Sequence, residues 1–344
     1  MTGRFPPRYD VRTLQPTRHP MARTAYIEQT GGPEVIQWAE RDLPPPGAGD
    51  VRVRHTAVGL NFIDTYHRSG LYKLPLPSGL GSEAAGVIEA LGDGVTGFAP
   101  GDRVVTYGPA LGAYATERNV AAAGLYKLPD AISDETAAAT FLKGCTAEFL
   151  IERCGLVQPG WTVLVHAAAG GVGQLVVQWL KHIGATVIGT VGSEAKVALA
   201  RSAGADHVIL SRQEDIAARV REITGAAGVP LVIDGVGADT WAASLAATAP
   251  RGLIISFGNA SGPVEGVNLS ALNQHGSLFV TRPKLFDYYA TPQDRAAGSA
   301  RLFDLLEQGV LRPEIGQRFA LEDAAQAHRA IEAGTTIGAT LLIP

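Results

Sequence analysis

Between Trp161 and Gly173 the chain reads WTVLVHAAAGGVG, an apolar run that ends in small residues. Thr162 to His166 has a strand pattern, and the helix opening after the turn carries Gln178, Trp179, Leu180 and Lys181 before it stops at Gly184. A strand, a glycine-rich turn and a helix N-terminus together make an anion site, because the first N–H groups of a helix lack partners and its dipole favours negative charge. Gly170 lets the backbone approach a pyrophosphate and Gly173 lets the helix pack on the strand, with Gly171 and Val172 between them. The usual first glycine is Ala168, so the fingerprint is A-x-G-x-x-G. The chemistry on offer is the holding of a dinucleotide.

The elements that must position this turn follow in alternation. Strand patterns at Val187–Gly189, His207–Leu210, Leu231–Asp234, Leu253–Phe257 and Leu278–Val280 are separated by helical patterns through Leu199 and Ala203, from Ile216 to Ile223, and from Trp241 to Ala246. Short apolar runs alternating with helices predict a parallel, doubly wound sheet, a Rossmann domain. Gly184, Gly204 and Gly252 are expected where helices stop. Val236, Phe257, Gly258 and Asn259 follow the carboxyl ends of the fourth and fifth strands, the edge where such sheets bind ligands, and Arg282 follows the sixth. His166 reads as a structural hydrogen-bonder.

The tip of the second strand bears on cofactor choice. A site for NAD places Asp or Glu about 20 residues beyond the glycines. Here the strand ends Gly189-Thr190-Val191-Gly192-Ser193 without an acid, and Ser193 and Lys196 offer a hydroxyl and a charge to a 2′-phosphate. NADPH is the expected cofactor. The plainer reading makes Ser193 a helix cap and Lys196 a solvated lysine, with Glu194 supporting the helix dipole or reaching a ribose.

From Met21 to about Gly144 the pattern changes. Val51–Val58 alternates with period two, and Gly86–Ala90, Arg103–Tyr107 and Ala113–Thr116 are further strand candidates, punctuated by turn residues at Pro44–Gly47, Gly92–Gly94 and Pro100–Asp102. This predicts a mainly β domain. The tail from Leu285 carries helical patterns from Gly298 to Gly309 and from Leu321 to Ala333, then a strand at Ala339–Ile343, and is expected to complete that domain. The expected division is an N-terminal extension over 1–20, a β catalytic domain over 21–144, a Rossmann domain over 145–284 and a completing segment over 285–344. The extension holds Arg4, Arg8, Arg12 and Arg18 with no apolar period, reads as flexible, and precedes an expected functional start at Met21.

At 344 residues the chain has room for two cores, and its formal charge of −4 supplies no basic footprint for nucleic acid. No apolar stretch approaches the roughly 20 residues of a membrane span. Cys145 and Cys154 are the only cysteines, too few for a disulfide framework, and read as thiols of a cytoplasmic protein.

Several stretches carry a resemblance. They include GLNFIDTYHRSGLY from Gly59, PSGLGSEAAGVI from Pro77, GDRVVTYG from Gly101, GAYATE from Gly112, FLKGCTAEFL from Phe141, SFGNASG from Ser256, LNQHGSL from Leu272 and the terminal LLIP. Together with the phosphate turn they resemble the zinc-independent NADPH:quinone reductases, the zeta-crystallin-like group of the medium-chain dehydrogenase/reductase superfamily, from Met21 to Pro344. The resemblance implies a GroES-like catalytic domain beside the Rossmann domain. Zinc alcohol dehydrogenases take metal ligands at positions that here hold Asn61, Ser82 and Leu142. A catalytic zinc needs three protein ligands, so none is expected. Without that Lewis acid, hydride delivery to an electron-poor acceptor such as a quinone or conjugated enone remains open.

The resemblance places Asn61, Phe62, Ile63, Asp64, Thr65 and Tyr66, with Thr146 and Phe149, at the nicotinamide end. The stretch reads as a loop forming a cleft wall. Tyr66 and Asn61 are the expected catalytic residues and Tyr72 part of the substrate wall, while His67 reads as a surface histidine. Residues matching Gly192, Ser193 and Lys196 line the adenosine phosphate in such enzymes. Ser211 stands where relatives have Tyr and Gly334 where they have Arg, which predicts a less sharp preference for NADPH, with Arg212 or Arg201 available to compensate. Phe149 likewise replaces a Tyr. The implied activity is quinone reduction by NADPH in the interdomain cleft, with Tyr66 or solvent supplying a proton. Two other readings stand beside it: an alkenal or enone (enoyl) reductase on the same scaffold, and a non-enzymatic nucleotide- or RNA-binding protein. A homodimer joined near the sixth Rossmann strand is expected from the resemblance.

Overall fold

The computed structural model describes residues 21–108 and 110–344, so the extension over 1–20 lies outside the described residues. In chain order the first half comprises β1 (Met21–Ile27), β2 (Gln37–Asp42), β3 (Asp50–Leu60), α1 (Phe62–Ser69), β4 (Ser78–Gly79), β5 (Glu83–Leu91), β6 (Arg103–Tyr107), β7 (Glu117–Ala121), β8 (Leu125–Lys127) and α2 (Asp134–Glu148). The second half continues with β9 (Thr162–Val165), α3 (Gly171–Ile183), β10 (Thr186–Val191), α4 (Val197–Ser202), β11 (His207–Leu210), α5 (Ile216–Ile223), β12 (Val229–Asp234), α6 (Trp241–Ala247), β13 (Thr248–Ser256), α7 (Leu269–Gln274) and β14 (Phe279–Thr281). The tail adds α8 (Leu285–Tyr288), α9 (Pro292–Glu307), β15 (Ile315–Ala320), α10 (Ala324–Glu332) and β16 (Ala339–Ile343).

β9 to β14 form one six-stranded sheet in the order β11-β10-β9-β12-β13-β14, with every pair parallel. Parallel sheets are covered on both faces and so demand continuous apolar strands. Val163, Leu164 and Val165 of β9 and Leu231, Val232 and Ile233 of β12 meet that demand by being fully buried. Chain order reverses between β9 and β12, which opens a crevice beyond their carboxyl ends.

The other large sheet runs β15-β16-β3-β5-β6-β8, with β7 also on β3. The C-terminal strand β16 pairs antiparallel with β3, Thr340 opposite Leu60, and so returns the tail to the first half. A smaller sheet, β2-β1-β4, covers it. Helix α2 lies between the halves. Ser133 caps it by accepting from Thr136 N–H at 3.1 Å. Its Ala137–Ala139 and Phe141 join a single apolar core containing Ala57, Ala85 and Val105 from one sheet, Val163 and Val165 from the other, and Leu175 of α3. The same helix spans positions 144 and 145.

Four expectations need correction. Ala113–Thr116 is not a strand: only Ala115 bridges, to Thr24, and the ladder begins at Glu117. Gly252 does not stop a helix but lies inside β13, where a Cβ would come within 2.5 Å of Thr248 Cγ2. The helix placed from Gly298 begins at Pro292, after a capping box of Thr291 and Asp294. The stretch from Phe62 is a helix rather than a loop, because Asn61 and Asp64 supply its N-terminal signal and Gly70, at φ 86°, its stop.

The candidate active site

The phosphate turn has an unusual backbone. Ala167 takes the left-handed conformation, φ 52°, that a glycine would adopt without cost. The methyl group of Ala168 faces Gly189 on β10, where a Cβ would lie only 2.7 Å away. The alanine in the first-glycine position is thus matched by a glycine on the neighbouring strand. Gly173 is needed for contact, since a Cβ there would reach 2.2 Å from Ala167 O. Helix α3 has no side-chain cap, its first turn is flanked by a β-bridge between Gly170 and Gly338, and among the described residues nothing accepts from the amide N–H of Val172 or Gly173. Unpaired donors on successive residues at one helix end form a cradle that fits a pyrophosphate.

At the end of β10, Ser193 makes no capping hydrogen bond. Lys196 Nζ donates to Gly334 O at 2.8 Å, and burial and the neighbouring Arg212 charge hold its pKa below the usual lysine range. Arg212 Nε lies 3.8 Å from where a Gly192 Cβ would stand. Neither cation has a carboxylate within ion-pair distance among the described residues. Ser211 Oγ is turned to Val191 O at 3.2 Å. Two cations and a free hydroxyl around an open glycine suit a 2′-phosphate.

Helix α1 builds the opposite wall of the cleft. Asn61 N–H donates to Asp64 Oδ2 at 3.0 Å, while Thr65 Oγ1 turns back to Phe62 O at 2.7 Å. This winding brings Phe62 and Tyr66 onto one side, with ring centroids 6.1 Å apart, and Tyr72 edge-on to Tyr66 at 5.2 Å. Ile63 is half-buried on the same helix. Tyr66 Oη accepts from Asn259 N–H at 2.9 Å, across the cleft. Burial, first of all, raises the Tyr66 pKa to about 12, so the phenol keeps its proton at neutral pH. Arg282 Nη1 donates to Ser256 O at 2.9 Å and Gly258 O at 2.8 Å, and its Nη2 to Tyr72 Oη at 3.4 Å. It therefore fastens the loop of Phe257, Gly258 and Asn259 to Tyr72.

Val236 is set at the same edge by Asp234, which accepts its N–H at 2.8 Å. Thr146 Oγ1 donates to Leu142 O at 2.7 Å within α2. Phe149 is buried and stacks on Tyr288, ring centroids 4.9 Å apart, away from the Tyr66 cluster's contacts. His67 is half-buried against Tyr72 rather than a surface residue, and burial lowers its pKa. His166 is fully enclosed, Nδ1 to Thr190 Oγ1 at 3.1 Å and Nε2 to Ser244 Oγ at 3.0 Å.

Beneath α1 lies a polar network for which the sequence contains no local signal. Asp64 is fully buried and accepts from Asn61 N–H, from Ser82 Oγ at 2.8 Å and from Tyr114 Oη at 3.1 Å. Burial raises its pKa to about 6, despite those donors. Arg68 Nη1 donates to His328 Nδ1 at 3.2 Å, which leaves the proton on Nε2 for donation to Tyr114 Oη at 3.0 Å. Arg68 also grips Glu332, Nη1 to Oε2 at 2.9 Å. Asn61 Nδ2 and Leu142 N–H both donate to the buried Glu83, at 2.8 and 2.6 Å.

With this geometry in view, the comparisons are specific. Residues 171–285 match the zinc-binding dehydrogenase family and residues 47–130 the alcohol dehydrogenase GroES-like domain. The chain is 51% identical to a quinone oxidoreductase of Pseudomonas aeruginosa over 94% of its length and 100% of that protein. It belongs to the quinone oxidoreductase family. Within the family, the structure of the Escherichia coli quinone oxidoreductase complexed with NADPH superimposes with a TM-score of 0.92 at 47% identity, covering 94% of this chain and 100% of that one. A 2-haloacrylate reductase from a Burkholderia species is 44% identical over 94% of this chain and 99% of its own length. The fold is that of the medium-chain dehydrogenase/reductase superfamily, a GroES-like domain with a Rossmann-like parallel sheet. Although one matching family is named for zinc, Asn61 and Ser82 are engaged by Glu83 and Asp64, and Leu142 has no ligating side-chain atom. No group of three or more His, Cys, Asp or Glu able to hold a metal occurs among the described residues.

Proposed function

We propose that this protein reduces quinones with NADPH, in the cleft between the α1 wall and the carboxyl edge of the parallel sheet. The observation that carries the reading is the Tyr66–Asn259 hydrogen bond, which sets a protonated phenol at the Rossmann edge, across the cleft from its own helix. The cofactor, when bound, supplies a hydride. Gly170 to Gly173 would receive its pyrophosphate, and Ser193 and Lys196, with Gly192 and Ser211 beside them, its adenosine phosphate. Tyr66 Oη accepts from the backbone, so its own proton is free to be donated to an acceptor oxygen. Asn61 is held by Asp64 and Glu83 and keeps α1 in place under that phenol. Rate acceleration comes mainly from holding donor and acceptor in register in a water-poor cleft.

The family identity and the NADPH complex of the E. coli relative support this reading. A second reading, reduction of a conjugated enone or alkenal, is favoured by the likeness to 2-haloacrylate reductase. Following NADPH oxidation with 1,4-benzoquinone, 9,10-phenanthrenequinone, a 2-alkenal and 2-chloroacrylate separates the two. Turnover of the alkenal or haloacrylate alone would overturn the quinone assignment. NADPH is preferred over NADH, and equal kcat/KM for both would contradict that preference.

The division at 144/145 and 284/285 into catalytic and Rossmann domains belongs to the same proposal. So do a homodimer and a cytoplasmic setting. The edge strand β14 exposes Phe279 and Val280, and nearby Leu269 is 75% exposed, which supports self-association there. Cys145 and Cys154 are free thiols, as suits a reducing compartment. No described helix is long and apolar enough to cross a membrane.

A further inference from the structure

Lys143 is a buried cation that the reading above leaves unused. Its side chain is 7% exposed on α2, and its Nζ stands 3.5 Å from Glu83 Oε2. An ammonium has three donors, yet Glu83 is its one acceptor among the described residues, at the long end of hydrogen-bond range. Glu83 already receives closer hydrogen bonds from Asn61 and Leu142. The lysine stem meanwhile runs toward the Rossmann half. A Cβ on Gly171 would lie 3.0 Å from Lys143 Cδ and 3.1 Å from its Cε. The stem therefore covers the first residue of α3, beside the unpaired N–H groups of the phosphate cradle.

We propose that Lys143 is a dinucleotide-binding residue, its Nζ donating to an oxygen of the pyrophosphate or adjoining ribose on the nicotinamide side of the glycine turn. Two uncommitted donors on an enclosed charge require acceptors, and a bound anion at this helix end brings them. The contact would tie α2, which belongs to both cores, to the cofactor itself. This inference rests on the dinucleotide reading but is indifferent to the choice of NADPH or NADH, because both share that stretch.

The competing explanation is that Lys143 does no more than neutralise Glu83. A double-mutant cycle separates the two. NADPH affinity is measured by calorimetry on the wild type, Glu83→Gln, Lys143→Met and the double variant, with 2′,5′-ADP as a probe of the adenosine end. In the Glu83→Gln background the ion-pair partner of Lys143 is gone and the buried Asp64, hydrogen-bonded to Asn61, Ser82 and Tyr114, is common to both proteins compared, so the double variant carries the test even if Lys143→Met alone fails to fold. The expected result is a Kd for NADPH about tenfold higher in the double variant than in Glu83→Gln, with 2′,5′-ADP affinity unchanged. Equal NADPH affinity in those two proteins overturns the proposal, as does an equal loss for 2′,5′-ADP. Failure of the wild type to bind NADPH or NADH would reject the dinucleotide reading instead.

Discussion

Tyr66 and Asn259, separated by 193 residues in the chain, are joined by a hydrogen bond of 2.9 Å from a backbone N–H to a phenol oxygen. The donor follows a strand of the parallel sheet and the acceptor sits on a short helix of the β half. The bond fixes Tyr66 at the cleft while leaving its proton uncommitted.

Tyr66→Phe removes that proton together with the acceptor of the Asn259 N–H, and keeps the aromatic ring contacts with Phe62 and Tyr72. NADPH affinity should stay within about threefold of wild type, and kcat for quinones should fall at least about tenfold. A kcat unchanged across several quinones would remove the hydroxyl from the mechanism.

Lys196 and Arg212 gather charge at the tip of β10 without a carboxylate partner among the described residues. Replacing either with Ala should weaken NADPH by about tenfold and leave NADH unaffected. Calorimetric titration with both nucleotides checks this; a matching loss for NADH would place the two residues elsewhere than at the 2′-phosphate.

Ala167 holds a left-handed backbone at φ 52°. Ala167→Gly should stabilise the protein by about 0.5–1 kcal/mol, the relief of that conformation less the entropy of a more flexible unfolded chain. Urea unfolding would reveal it as a raised midpoint with an unchanged slope.

Acid should destabilise the fold between pH 7 and 6. Burial lowers the pKa of His55 and His328 from 6.5 to about 3, so both are neutral in the folded chain and take up protons on unfolding. Their stabilisation is present above 6.5 and lost as pH falls, each at up to about 1.4 kcal/mol per pH unit. Asp64 works in the opposite sense, because its pKa of about 6 in the fold lies above its ordinary 3.8, and stability from it rises as pH drops through that window. Melting temperature should therefore decline from pH 7 to 6 and go on falling below 6, less steeply than the two histidines alone would give. A rise on acidification to pH 6 would contradict the burial of those histidines as neutral groups.

Phe279, at 63% exposure on the edge strand β14, is the residue whose loss should undo self-association. Phe279→Asp should turn a dimer into a monomer in light scattering, with reductase activity per chain largely retained. A wild type that runs as a monomer would dismiss the dimer.

Much of the Rossmann half was legible in the chain. The third strand and the helix from Ile216 to Ile223 fall where their patterns indicate, since apolar periodicity and glycine stops act over a few residues. The misreadings have local causes too. The stretch of α1 reads as a loop because it is short and rich in polar residues, Asn61 and Asp64 among them, and its helix signals are confined to its two ends. At Gly252 a close approach of Thr248 imitated the signature of a helix stop.

The sequence alone determined the glycine turn and the parallel sheet that follows it, because each depends on residue type and near-neighbour spacing. It held no hint that Asn61, Ser82 and Leu142 would close around Glu83 and Asp64, or that Arg68 and His328 would orient Tyr114 toward Asp64. Such contacts join residues up to 260 positions apart. Their worth depends on how much water folding removes from each charge, a quantity that exists only once the chain has closed around them.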